Sequence, residues 1–219
     1  MDTTVQAYDL KLKVLSFECE AGIEKYLGHI FRGEYDVPVS LKAPRILDIG
    51  ANLGAFSIWA YHRWPGSQIY AYEPNAELLP ILKRNLAVNT ASSVTVLEHA
   101  VGNPGVRTFY KGDRNCGEGS LYTNIAKPGV EVKVESPLTL PEANVLKVDT
   151  EGCEVEIIEP LLKDGRKFDV ILFEYHREND RTLLDVMLED YILMGATVYA
   201  PARGVMKYMH KSILNLGAQ

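Results

Sequence analysis

Four polar side chains stand at the ends of two apolar stretches of the chain, where acid–base chemistry could take place. Asp149 and Glu151 directly follow the apolar residues 145–148, and Glu174 and His176 end the next apolar stretch. Carboxylates so close to a buried strand are costly unless they bind something or are paired. We therefore predict a catalytic cluster, with His176 as general base and Glu174 as its orienting partner. The alternative is that His176 is an ordinary residue at the rim of a sheet.

A second constellation is typical of a site for a ligand that carries a nucleoside. A short apolar strand ends in Asp48, turns through Gly50 and Gly54, and opens directly into a predicted helix. Glycines let a ligand approach the backbone, and the start of a helix offers free N–H donors. Glu73 ends the next strand, at the distance from the glycines where an acid binds ribose hydroxyls. Asn52 replaces the middle glycine of the dinucleotide fingerprint, which favours S-adenosylmethionine over a dinucleotide. The alternative is a purely structural turn.

His99 follows the third predicted strand, where a loop of such a fold can cover an adenine ring. We predict that His99 contacts the edge of the base, with a solvated loop histidine as the alternative. Asp149 is also expected to contact the cofactor, because a parallel sheet binds its ligands at the carboxyl ends of its strands.

Strands and helices alternate from residue 45 onward, which predicts an α/β fold. The expected architecture is a Rossmann-like, doubly wound, mainly parallel seven-stranded sheet that ends in an antiparallel hairpin. The predicted strands are 45–49, 68–72, 93–97, 145–148, 170–173, 196–199 and 205–209. The predicted helices are 21–32, 54–64, 75–89, 152–163 and 180–190. A turn-rich spacer at 201–204 is too short for a crossover, so the last two strands should pair antiparallel.

Two regions fall outside this alternation. Residues 1–42 are too few for an independent core, and we expect a helical cap segment that packs on the domain formed by 43–219. The stretch 103–142 is rich in glycine and proline, and we expect an insertion there that carries substrate-binding loops.

Composition limits the possible partners. The 219 residues contain 23 Lys and Arg against 29 Asp and Glu, a formal charge of −6, which disfavours nucleic acid as the main partner. No apolar run approaches the roughly 18 residues of a membrane span, so we expect no membrane partner.

The cysteines, Cys19, Cys116 and Cys153, are scattered and odd in number. They favour a reducing compartment, and a cytoplasmic location is the expectation.

Four segments together resemble the FkbM-type methyltransferases: 47–54, 72–75, 146–154 and 173–176. The stretch 33–38 is also similar to that family. The resemblance implies a class I methyltransferase fold, S-adenosylmethionine as cofactor, and a hydroxyl of a sugar or natural product as acceptor. It leaves the identity of the acceptor and the oligomeric state open.

Several other functions are compatible with the same residues. Asp149, Glu151, Glu174 and His176 could hold a divalent metal ion that polarises a diol, because hard oxygen ligands suit Mg²⁺. An aminopropyltransferase would use the same cofactor with an acidic polyamine site. A non-catalytic module would bind the cofactor without turnover. A methyltransferase acting on a macromolecule is the remaining alternative, and the acidic composition counts against nucleic acid as its substrate.

Overall fold

The computed structural model describes residues 2–5, 17–20, 24–110, 119–122 and 129–214. Its main feature is a seven-stranded sheet with the spatial order β11-β12-β10-β9-β3-β4-β5. The strands of this sheet are β3 (Arg45–Ile49), β4 (Gln68–Tyr72), β5 (Val94–Leu97), β9 (Val145–Val148), β10 (Val170–Tyr175), β11 (Tyr191–Ala200) and β12 (Arg203–His210). The α/β class and the seven-stranded sheet are thereby confirmed.

Strand β12 runs antiparallel to both β10 and β11, whereas β3, β4, β5, β9 and β10 pair in parallel. The chain enters at β3, winds outward to β5, and returns to β9 on the other side of β3. This reversal places a crevice outside the carboxyl ends of β3 and β9, where open α/β sheets bind their ligands. The C-terminal antiparallel hairpin is also confirmed.

The helices are α1 (Glu24–Phe31), α2 (Ala55–Arg63), α3 (Leu79–Val88), α4 (Glu154–Lys163), α5 (Glu178–Met187) and α6 (Lys211–Leu214). Side chains of α2 and α3 pack on one face of the sheet, and those of α4 and α5 pack on the other. Strands β9 and β10 are buried over their whole length, which explains why they read as continuous apolar runs. Within the described residues, no helix has the length and apolar character that crossing a bilayer requires.

The predicted boundaries were wrong at the last helix. We expected a helix to residue 190 and a strand confined to 196–199, but α5 ends at Met187 and β11 already begins at Tyr191. Strand β12 offers backbone partners along this whole stretch, and two register irregularities in β11 obscure the alternation of side chains.

The inserted region forms a small sheet of its own, with the order β6-β8-β7. Its strands are β6 (Ala100–Val101), β7 (Gly105–Phe109) and β8 (Val130–Glu135), followed by a short 3₁₀ turn, Pro137–Thr139. Residues 111–118 and 123–128 of the predicted substrate loops lie outside the described residues. Where it is described, the insertion therefore has regular structure that the glycine and proline content did not indicate.

The N-terminal region contains an antiparallel pair, β1 (Asp2–Val5) and β2 (Phe17–Glu20), that the sequence pattern did not predict. Helix α1 lies within the predicted range and is closed by Gly33, which has a φ of 89°. The N–H of Gly33 donates to the carbonyl of Ile30, and that of Glu34 donates to the carbonyl of His29. This pair of bonds is a Schellman motif, which turns the chain sharply after the helix.

The segment after Gly33 is anchored firmly against helix α2. Tyr35 and Val37 are buried, and the Tyr35 ring meets that of Phe56 edge-on at 5.3 Å. Arg63 binds Asp36 at 2.8 Å and also donates to two carbonyl groups of this segment. The turn that follows α1 therefore has a defined position over the carboxyl end of the sheet.

Candidate active site

A cavity of about 440 Å³ opens at the carboxyl ends of β3, β4, β9 and β10. One part of it is bordered by the loop between β3 and α2, and the opposite part by acidic residues that follow β9 and β10. Of the predicted site residues, the cavity is lined by Gly50, Asn52, Glu73, Asp149, Glu151 and Glu174. Asp48, Gly54, His99 and His176 are not among the lining residues.

The loop between β3 and α2 approaches its neighbours so closely that Gly50 cannot carry a side chain. Gly50 has a φ of 80°, and a Cβ placed there would come within 1.8 Å of the Asp149 carbonyl oxygen. The N–H groups of Gly50 and Ala51 both donate to the carbonyl of Tyr72, at 3.0 and 2.9 Å. The loop is thus held between the ends of β4 and β9.

Glu73 organises the same loop through both of its carboxylate oxygens. Oε2 accepts from the N–H of Asn52 and Oε1 from that of Asn75, each at 2.8 Å. Asn52 adopts a positive φ of 51°, which asparagine tolerates better than most residues. Burial raises the pKa of Glu73 to about 7, although the two backbone bonds favour its charged form. Each oxygen still has acceptor capacity for a ligand hydroxyl at the cavity.

Asp48 lies beneath the loop rather than facing the cavity. It is fully buried, and its Oδ2 accepts from the Ser57 hydroxyl at 2.6 Å. Its other oxygen lies 3.1 Å from Nζ of Lys147, the residue in register with it on β9. Lys147 also donates to the Gly50 carbonyl at 2.8 Å. We therefore assign Asp48 a supporting position behind the loop between β3 and α2, whereas its place in the sequence motif predicts that it holds the amino-acid end of the cofactor directly or through water.

Lys147 was not singled out from the sequence, although a lysine within an apolar strand is a visible signal. Its burial opposes the charged form, but Asp48 and Asp149 outweigh this effect and hold its pKa above the ordinary value. The lysine is therefore a buried cation on β9 that binds both Asp48 at the end of β3 and Gly50 in the loop between β3 and α2. Gly54 is likewise structural, since a Cβ there would come within 2.6 Å of Cδ1 of Leu82.

His99 lies to one side of the cavity. Its Nε2 pairs with Glu135 of the inserted sheet, and its ring meets that of Tyr72 edge-on at 5.5 Å. The neighbouring residues Ala100 and Val101 line the cavity instead. In this arrangement His99 joins the inserted sheet to β4, and an adenine contact by its side chain stays a prediction.

The acidic end of the cavity centres on Glu174. Its Oε1 accepts from Nε of Arg203 at 2.6 Å, and its side chain is largely buried. Burial and the nearby charge of Asp149 raise the pKa of Glu174 to about 7, against the opposing effects of His176 and Arg203. Arg203 is also 3.5 Å from Glu151. A buried carboxylate with a pKa near neutrality is suited to accept a proton in catalysis.

His176 occupies a different environment from the one predicted. Its Nε2 lies 3.2 Å from Glu151 and 3.5 Å from Glu174, while Nδ1 lies 3.2 Å from Glu154. Burial alone would lower its pKa, but hydrogen bonds to Glu151 and Glu154 and their charges raise it to about 11. An imidazole with this pKa carries its proton at neutral pH. The geometry therefore gives His176 the role of a buried cation and argues against its predicted role as general base.

Glu154, the first residue of α4, organises the loop after β9. It is fully buried, and Oε1 accepts from the N–H groups of Thr150 and Gly152 at 3.2 and 3.1 Å. Burial would raise its pKa, yet the bond to His176 keeps the pKa below its ordinary value. Between these contacts Glu151 adopts a φ of 55°, a strained conformation that clusters at functional sites.

Two further side chains at the cavity were missed because they come from distant elements. Glu34 follows the turn that closes α1, and Tyr199 belongs to the C-terminal hairpin. The Tyr199 hydroxyl donates to Oε1 of Glu34. Burial and the charges of Glu174 and Asp149 raise the pKa of Glu34 to about 7. Local sequence patterns contain no signal that joins these two elements.

Three side chains at the acidic end could hold a metal ion. One ligand atom each from Asp149, Glu151 and His176 lies within 4.8 Å of the others. Nδ1 of His176 is bonded to Glu154, an arrangement that also orients histidine ligands in metal sites. The donor set of oxygen and nitrogen thus fits a divalent ion.

Comparison with known proteins connects this geometry to an enzyme family. Among curated relatives, "Methyltransferase sdnD" from Sordaria araneosa is 26% identical, over 71% of this chain and 76% of its own. "Methyltransferase 1" from Beauveria bassiana (strain ARSEF 2860) is 29% identical, over 63% of this chain and 65% of its own.

Solved structures share the fold at low identity. Precorrin-6y C5,15-methyltransferase from Geobacter metallireducens GS-15 has a TM-score of 0.56 and 17% identity, covering 89% of this chain and 93% of that one. TYW2 from M. jannaschii in complex with AdoMet has a TM-score of 0.50 and 14% identity, covering 95% and 86%. The family model described as "Methyltransferase FkbM domain" matches residues 48–193. The chain therefore belongs to the FkbM methyltransferase family.

Proposed function

We propose that this protein transfers a methyl group from S-adenosylmethionine to a hydroxyl of a sugar or other small molecule. The observation that carries the proposal is that one cavity joins a nucleoside-type loop to a cluster of carboxylates. Among the described residues, five acidic side chains and two basic ones line the cavity: Glu34, Glu73, Asp149, Glu151 and Glu174, with Lys147 and Arg203. This charge favours a sulfonium cation and disfavours an anionic acceptor.

The cofactor half is built by the loop after β3. The N-terminus of α2 suits a ligand that lies against backbone N–H groups, and its first residues, Ala55 and Phe56, line the cavity. Glu73 is placed to accept hydrogen bonds from two ribose hydroxyls while it holds the loop through the N–H groups of Asn52 and Asn75. The fold shared with TYW2, whose structure contains AdoMet, supports the choice of cofactor.

In the acceptor half, Glu174 is the proposed general base. The hydroxyl oxygen attacks the methyl carbon, the carbon–sulfur bond breaks with its electron pair on sulfur, and Glu174 takes the hydroxyl proton. S-adenosylhomocysteine then leaves as a neutral thioether. Because the sulfonium is already a strong electrophile, alignment supplies much of the acceleration and can contribute about 7–11 kcal/mol.

The surrounding residues fix the position and charge of Glu174. Arg203 orients its Oε1, and the charge of Asp149 raises its affinity for a proton. The Asp149 carbonyl oxygen also lies against Gly50, so this residue borders both the loop after β3 and the acidic part of the cavity. His176, held as a cation by Glu151 and Glu154, stabilises the cluster electrostatically.

A metal-assisted variant is the second candidate, and the close approach of Asp149, Glu151 and His176 favours it. These three residues would hold a divalent ion, which would polarise the acceptor oxygen when bound. Activity that survives exhaustive chelation unchanged would remove this variant.

The test is release of S-adenosylhomocysteine by the purified protein across glycosides, free sugars, phenols and other hydroxylated compounds. We expect turnover on at least one uncharged polyhydroxylated acceptor. Cofactor binding without turnover on any acceptor, including protein and RNA, would favour the non-catalytic module. Turnover on a macromolecule alone would contradict the small-molecule acceptor.

A further inference from the structure

We propose that Glu34 is an acceptor-binding residue that receives a second hydroxyl of the acceptor while Glu174 receives the reacting one. The acceptor class is accordingly an uncharged molecule with at least two hydroxyl groups. This inference rests on the proposed function and extends it from the sheet to the N-terminal cap segment.

Glu34 is held at the edge of the cavity by the turn that closes α1. The positive φ of Gly33 and the Schellman motif at the end of α1 turn the chain toward the carboxyl end of the sheet. Glu34 lines the same cavity as Glu174 and Asp149. The next residue, Tyr35, is buried against Phe56 and fixes this turn in place. Packing therefore fixes the backbone at Glu34, and the bond from the Tyr199 hydroxyl holds its carboxylate.

The Glu34 carboxylate retains hydrogen-bonding capacity beyond its bond to Tyr199. Oε1 accepts the Tyr199 hydroxyl, and a carboxylate has about four acceptor sites in total. The charges of Glu174 and Asp149 both act on Glu34, so three acidic groups face the same space. Hydroxyl groups are neutral donors that can satisfy several carboxylates without adding charge, whereas an acceptor bearing phosphate or carboxylate would be repelled.

Glu34 joins two distant elements of the chain. The cap segment and the C-terminal hairpin meet at the bond between Glu34 and Tyr199. Both residues line the cavity together with Arg203 of the same hairpin. This end of the cavity is thus built from parts of the chain that lie outside the nucleoside-binding loop, as expected for a subsite that selects the acceptor.

The experiment measures kcat and KM on methyl β-D-glucopyranoside and its four mono-deoxy analogues, for the wild type and Glu34→Gln. In the wild type, the analogue that lacks the reacting hydroxyl is not turned over. Another analogue, which lacks the hydroxyl bound by Glu34, has a kcat/KM roughly 10- to 100-fold lower than the parent, the range for a hydrogen bond to a charged group. In Glu34→Gln, kcat/KM on the parent glycoside falls by a similar factor, mostly through KM. The preference for that second hydroxyl disappears, and S-adenosylmethionine affinity stays within about twofold.

Asp36→Asn is the matched control because Asp36 lies on the same segment but binds Arg63 outside the cavity. It should retain the discrimination between the parent glycoside and the deoxy analogues. If Glu34→Gln keeps the full preference, or loses cofactor affinity to the same extent as acceptor affinity, the role of Glu34 is overturned while the proposed function stands. If the wild type turns over none of these glycosides while it methylates a monohydroxylated compound, the polyhydroxylated acceptor is overturned. If it releases no S-adenosylhomocysteine on any acceptor, the proposed function fails first.

Discussion

Nδ1 of His176 lies 3.2 Å from Oε1 of Glu154, a carboxylate with no exposed surface. This pair joins the residue after β10 to the first residue of α4, and Glu154 in turn accepts two backbone N–H groups of the loop that follows β9. The histidine is thereby a structural cation at the edge of the active site, and several consequences of this arrangement can be measured.

Replacement of His176 by alanine should reduce stability strongly. The change leaves Glu154 buried without its cation, and breaking one side of a buried ion pair typically costs about 3–5 kcal/mol. Denaturant unfolding of the wild type and His176→Ala measures the difference. An unchanged unfolding free energy together with a loss of kcat would restore the histidine as a catalytic base.

The same pair predicts a pH dependence of stability. The folded-state pKa of His176 is raised from its ordinary 6.5 to about 11, so folding favours the protonated imidazole. Its contribution is fully present below about pH 6.5 and is lost as the pH rises toward 11. The wild type should therefore lose more stability than His176→Gln between pH 6.5 and 9.5. Equal losses in the two proteins would show that the imidazole is not held in its charged form.

Glu174→Gln should abolish most of the turnover and leave cofactor binding intact. A positioned general base contributes about 10²–10⁴-fold, and the pKa of Glu174 near 7 predicts that wild-type kcat rises with pH through neutrality. The variant should lose both this rate and this dependence. Glu142→Gln changes an exposed carboxylate outside the cavity and serves as the control. A kcat of Glu174→Gln within threefold of the wild type would exclude the residue as base.

Gly50→Ala should prevent S-adenosylmethionine binding, since the added Cβ would meet the Asp149 carbonyl at 1.8 Å. Gly165→Ala is a matched control, because Gly165 has the same φ of 80° but nothing within 4 Å of the position of a Cβ. In both variants an alanine must adopt the left-handed backbone conformation, which lowers the free energy of unfolding by roughly 1–2 kcal/mol. Calorimetry should show loss of binding only for Gly50→Ala. Similar affinities in both variants would mean that the loop does not contact the cofactor.

Glu73→Gln should weaken cofactor binding roughly 10- to 100-fold, the range for loss of hydrogen bonds to a charged group. The amide keeps one acceptor oxygen but turns an NH₂ group toward one of the two N–H groups that Glu73 now accepts. A comparison between S-adenosylmethionine and its deoxyribose analogue separates a lost ribose contact from a disturbed loop. If Glu73 binds the ribose, the affinity difference between S-adenosylmethionine and the analogue should be larger in the wild type than in the variant.

The fold could be predicted from sequence because the apolar strands and amphipathic helices each have a local period. The loop from Gly50 to Gly54 was equally visible, since its glycines and the acid that follows β4 stand at characteristic spacings. Its exact contacts were less predictable. Asp48 pairs with Lys147 and does not face the cavity. This pairing depends on the register of β3 against β9, which no local pattern specifies.

The surroundings of His176 could not be predicted for a similar reason. Its spacing from Glu174 indicated a shared face of one strand, but its main partners come from the loop before α4 and from α4 itself. Two carboxylates, Glu151 and Glu154, raise the pKa of this imidazole, and their combined effect appears only once the elements are packed. Glu34 and Tyr199 are separated by most of the chain, so their contact also required the tertiary structure.

The decisive experiment measures S-adenosylhomocysteine release and S-adenosylmethionine affinity together, in the wild type and in Glu174→Gln, on an uncharged polyhydroxylated acceptor. We expect turnover by the wild type, and a loss of turnover in the variant with cofactor affinity preserved within about twofold. Failure of the wild type to bind S-adenosylmethionine, or turnover that is equal in the two proteins, would contradict it.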